Sequence, residues 1–79
     1  MGWFSNVRNT TRIKNEIKKL EKELEHHKAK SKEASMKGLE YKLKHNQPRA
    51  DYWYDIANYH IDKEYYTREE IRNLEKELY

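Results

Sequence analysis

The sequence predicts an all-α fold, three to four helices packed as a small bundle or a long helical hairpin. Three observations carry this reading. Breakers are nearly absent, with two glycines and one proline in 79 residues, while Lys, Glu and Leu, which lose little side-chain freedom in a helix, are abundant. Ile13, Ile17, Leu20 and Leu24 step by four, three and four, which places them on one stripe of a helix. A second apolar stripe, Ile71, Leu74 and Leu78, closes the chain.

The first helix is expected from about Asn6. Carried forward at the same spacing, its stripe meets His27, Ser31, Ala34 and Gly38, which are poor knobs for a coiled coil. Apolar residues return at Met36, Leu39 and Leu43, out of phase with the first set. This favours a break within residues 28–35, with Ser31 and Ser35 available to cap a new helix. An unbroken helix is the alternative, since Glu33 with Lys37 and Glu40 with Lys44 stand in the favourable i, i+4 order.

The next boundary falls at His45, Asn46, Gln47 and Pro48, because the residue before proline avoids helix, proline suits a first helical turn and Asn46 can cap. The helix that follows is expected to bury Ala50, Trp53, Ala57 and Ile61, with Ile56 and His60 adjoining. At Thr67 and Glu70 stands the spacing of a capping box, and Tyr66 with Ile71 has that of a hydrophobic staple, so a last helix is expected to start there.

Residues 1–79 make a single small domain with a basic helical half, 1–47, and an acidic aromatic half, 48–79. The first half carries twelve Lys/Arg against six Asp/Glu and the second five against eight, and six of the seven tyrosines lie in the second. Leu, Ile, Val and Phe number only 13, and a core this small supplies no more than ~3–5 kcal/mol. Self-association through Ile13, Ile17, Leu20 and Leu24, or through Ile71, Leu74 and Leu78, is the expected supplement.

Cysteine is absent, which fits a reducing cytoplasm, and no apolar run approaches the roughly 18 residues of a membrane span. Gly2 is followed four residues later by Asn6, where a myristoylation site wants Ser or Thr. Trp3 and Phe4 ahead of Arg8, Arg12, Lys14, Lys18 and Lys19 suggest a membrane-surface helix, but Glu16, Glu21, Glu23 and Glu25 dilute its charge. A membrane is therefore the disfavoured partner.

No cofactor, metal or catalytic residue is expected. Glu23 with His27 and His60 with Glu64 are i, i+4 pairs that each offer two ligands, and two ligands do not make a metal site unless the pairs meet. A nucleophile elbow and a phosphate-cradling glycine loop are both missing, so the chain is not expected to be an enzyme.

Two surfaces remain. Asp51, Tyr52, Tyr54, Asp55, Tyr59, Asp62, Tyr65 and Tyr66 form the expected protein-binding surface, because tyrosine buries large area at low entropic cost and the acids suit a basic partner. Lys28, Lys30, Lys32, Lys37, Lys42 and Lys44 are the alternative, a phosphate-contacting stretch for nucleic acid, although without the arginines that read bases. The leading expectation is a non-enzymatic protein-binding regulator, an inhibitor or adaptor of the kind phages and mobile elements carry, acting on a host nucleic-acid enzyme such as a defence nuclease. A nucleic-acid-binding accessory protein comes second and a self-assembling structural subunit third.

Overall fold

The computed structural model describes residues 2–78, with side chains from residue 9 onward, as two antiparallel helices, α1 (Gly2–Leu43) and α2 (Gln47–Leu78). They lie side by side as one hairpin 65 Å long and 14 Å across. The chain is thus all-helical, but the expected three to four helices are two. Neither the break within residues 28–35 nor the helix start at Thr67 occurs.

Why both helices run on is visible in their shared seam. Along α1 the residues turned inward are Ile13, Ile17, Leu20, Leu24, His27, Ser31, Ala34, Gly38 and Tyr41, an unbroken alternation of four and three. Along α2 they are Ala50, Trp53, Ala57, His60, Glu64, Thr67, Ile71, Leu74 and Leu78, spaced by the same rule. Every one is buried or half-buried. A seam with this spacing keeps one face of each helix against the other, so the register continues where hydrophobicity lapses.

The seam has three zones. At the open end Ile13, Ile17 and Ile71 form the buried core, with Leu20, Leu24, Leu74 and Leu78 packed against them. The two stripes expected to serve self-association therefore cover each other within one chain. The middle is polar, with His27 against His60 and Ser31 against Glu64. Ser31 is not a cap: its single hydroxyl proton is shared between the Lys28 carbonyl at 3.0 Å and Glu64 Oε2 at 3.3 Å. Thr67 is buried at mid-helix rather than capping. Near the turn, small residues let the backbones close up, with Ala34 and Ala57 each 2% exposed and Ala50 fully buried. Ile61, expected in the core, is 48% exposed, because the seam passes through His60 instead.

The turn comes where the sequence places it. The amide of His45 donates to the Lys42 carbonyl and that of Asn46 to the Tyr41 carbonyl, at 3.0 and 2.9 Å, which is the Schellman pattern that closes a helix C-terminus. Asn46 then caps α2, its Oδ1 accepting from the Arg49 amide at 3.4 Å. His45 occupies the left-handed position at φ 59°, where a Cβ is strained and glycine is not. His45→Gly is expected to raise stability by about 1 kcal/mol, read as a higher midpoint in urea, with His45→Val lowering it.

Candidate functional site

The seam to α1 takes one side of α2. About half a turn away, facing solvent, Tyr52, Asp55, Tyr59, Asp62 and Tyr66 succeed one another at steps of three and four, all exposed. The three tyrosines are 60%, 55% and 63% exposed. Each ring is braced edge-on by a neighbour: Tyr52 by Trp53 at 5.4 Å between centroids, Tyr59 by His60 at 5.1 Å, and Tyr66 by Tyr65 at 5.6 Å. Such edge-to-face contacts suit the quadrupoles of the paired rings. The ammonium of Lys63 lies 5.5 Å from the Tyr59 centroid, so this ring already takes a cation.

Of the other residues expected on this surface, Asp51 and Tyr65 stand exposed beside the row. Tyr54 is drawn inward. Its ring lies over Gly38, where a Cβ would stand 2.8 Å from Tyr54 Cε1, so the absence of a side chain at position 38 makes its berth. Tyr52 and Tyr54 share the expected surface; the bare backbone at Gly38 is the signal that separates them. Met36, Leu39 and Leu43, the out-of-phase set that favours a break in the sequence, belong to the unbroken α1. They stand 63%, 52% and 72% exposed on the outer side of α1.

The lysine stretch is largely engaged along its own helix. Lys28 pairs with Glu25 at 3.5 Å, Lys30 and Lys37 with Glu33 at 3.8 Å, and Lys44 with Glu40 at 3.0 Å. Lys37 also covers the Trp53 ring at 4.5 Å. Lys32 and Lys42 are exposed and form no ion pair among the described residues. The remaining pairs, Glu64 with Arg68 and Glu69 with Arg72, are again within one helix. Among the described residues, therefore, no ion pair between the helices neutralises the opposite charge of the two halves.

In the polar zone the pairs Glu23 with His27 and His60 with Glu64 do approach one another through their histidines. Nδ1 of His27 and Nδ1 of His60 are 2.8 Å apart, a hydrogen bond in which one ring donates and the other accepts. His26 joins them, its centroid 5.3 Å from His27 and 6.2 Å from His60. Among the described residues, however, no three His, Asp or Glu side chains are placed to hold a metal ion. Burial lowers the pKa of His60 below its ordinary 6.5, helped by His27, His26 and Lys30, while Glu64 opposes.

A doubly protonated pair cannot keep the shared hydrogen bond. The unfolded chain, with His60 near 6.5, binds more protons than the hairpin between that value and the lower folded one. Stability is therefore full above pH 6.5 and is lost as pH falls through the folded pKa. The urea midpoint is expected to drop between about pH 7.5 and about pH 5.5, and to do so less in His60→Asn.

The groove between the helices toward the open end is lined by Glu16, Lys19, Leu20, Glu23, Glu70, Asn73 and Leu74. No helix among the described residues is long and apolar enough to cross a membrane. The side chains of Trp3, Phe4 and Arg8, which carry the membrane-surface reading, lie outside the described residues. No protein-family model matches the chain, and no curated protein or solved structure shows significant similarity to it.

Proposed function

We propose that this chain is a non-enzymatic binding protein, a regulator that docks a basic surface of another protein onto the outer face of α2. One observation carries the reading: Tyr52, Tyr59 and Tyr66, each more than half exposed, alternate with Asp55 and Asp62 on the side of α2 turned away from α1. None of these five residues is needed to close the hairpin seam. Exposed aromatic rows of this kind mark interaction surfaces, and tyrosine is among the residues that dominate interface energetics. The acids add selection for Lys- or Arg-rich partners and against phosphate backbones. A basic groove that normally receives nucleic acid fits this face, which makes an inhibitor or adaptor of a nucleic-acid enzyme the favoured role.

Site-specific photo-crosslinking in the native cell tests the reading. A photoreactive residue at position 58, beside the row, is expected to capture a discrete protein. Tyr52→Ala, Tyr59→Ala and Asp62→Asn together should reduce capture at least tenfold with the helical circular dichroism unchanged. Undiminished capture by that triple variant would remove the outer face from the function.

A further inference from the structure

We propose that the partner element seated on this face is an α-helix bearing arginine at three-and-four spacing. The inference rests on the protein-binding reading and adds the shape and the charge-bearing group of what is bound.

The shape follows from register. Tyr52, Asp55, Tyr59, Asp62 and Tyr66 repeat the same alternation that α2 presents to α1. α2 thus presents two rows on opposite sides, the inner one packed against α1. A row spaced in this way follows a second helix that crosses at about 20° over several turns.

The chemistry follows from the order of residues within the row. Asp55 stands one turn from both Tyr52 and Tyr59, and Asp62 one turn from both Tyr59 and Tyr66. Each carboxylate is therefore flanked by two aromatic faces. Neither aspartate forms an ion pair among the described residues, so both carboxylates can meet a cation from a partner.

A guanidinium satisfies both kinds of neighbour at once, because it stacks flat on an aromatic ring while its N–H fork meets a carboxylate. An ammonium is a point charge and satisfies them in turn. The hairpin itself shows that its rings accept cations: Arg49 lies 5.6 Å from the Tyr41 centroid, Lys37 lies 4.5 Å from that of Trp53, and Lys63 lies 5.5 Å from that of Tyr59. Lys63 is exposed and reaches Tyr59 from the side of the row, so an arriving arginine can displace it.

The test uses the full-length protein and three synthetic alanine-rich helical peptides of about three heptads, identical except at the seam positions. These carry arginine, lysine or the neutral isostere citrulline. Binding is read by fluorescence anisotropy at near-physiological salt and mapped by amide chemical shifts. The arginine peptide is expected to bind with shifts confined to residues 52–66, the lysine peptide at least fivefold more weakly, and the citrulline peptide not measurably. Tyr59→Ala and Asp62→Asn should each weaken the arginine peptide about tenfold, or about 1.4 kcal/mol.

Equal affinity for the arginine and lysine peptides, shifts centred elsewhere, or no binding of the arginine peptide would each overturn the proposal. If the peptides fail while cellular cross-linking still depends on Tyr59, the docking face stands and the arginine helix falls. If cross-linking is indifferent to Tyr59, both fall.

Discussion

Ile71→Ala is expected to unfold most of the hairpin at room temperature. Ile71 is the buried residue that α2 contributes to the apolar core at the open end, where it meets Ile13 and Ile17. Truncating a buried isoleucine costs about 2–4 kcal/mol, and a chain this small has ~3–5 kcal/mol in all from its core. The loss is therefore comparable to the whole stability rather than a fraction of it. Loss of the cooperative thermal transition in ellipticity at 222 nm would be the result. Retention of a sharp transition within a few degrees of the parent would show that the polar zone and the small-residue zone hold the helices together by themselves.

Gly38→Leu is the second large effect, and it acts at the other end of the seam. The first added carbon alone would lie 2.8 Å from Tyr54 Cε1 and 2.9 Å from Cδ1, so the Tyr54 ring must leave its half-buried position. Overpacking of this kind costs about 1–3 kcal/mol, against which replacing glycine in a helix returns up to ~1 kcal/mol of propensity. The net expectation is destabilisation with a more exposed tyrosine, seen as a lower melting temperature and stronger quenching of tyrosine fluorescence by iodide. Gly38→Ala separates the two contributions, since it gains nearly all of the propensity and demands a smaller displacement. An unchanged or raised melting temperature for the leucine variant would mean that Tyr54 contributes nothing by lying where it does.

How much of this was legible in the sequence differs along the chain. The open-end core was legible because Ile13, Ile17, Leu20 and Leu24 announce their spacing through hydrophobicity, and so do Ile71, Leu74 and Leu78. The turn was legible because Pro48 and Asn46 act locally. The middle was not, since His27, Ser31, Glu64 and Thr67 carry the same spacing without the hydrophobicity that makes spacing visible. Met36, Leu39 and Leu43 then drew the eye to a phase that turned out to face solvent.

The capping box at Thr67 failed for a related reason. Its sequence describes what Thr67 can do if the chain before it is not helical, and residues 47–66 are helical already. For the candidate face, composition alone located the tyrosines and acids on α2. It could not divide them between inner and outer sides, because that division depends on the seam running through His60 rather than Ile61.

The tight connection at residues 44–46 also shapes the order in which the hairpin assembles. For Ile13 to meet Ile71 first, the chain must close a loop of roughly sixty residues before any other contact rewards it. Starting beside the turn, each new layer closes only a few more residues than the last. Assembly is therefore expected to zip from the turn outward, through the alanine layers and the histidine pair, with the strongest apolar grip forming last. Substitutions in that grip should accelerate opening and leave the rate of closing nearly untouched.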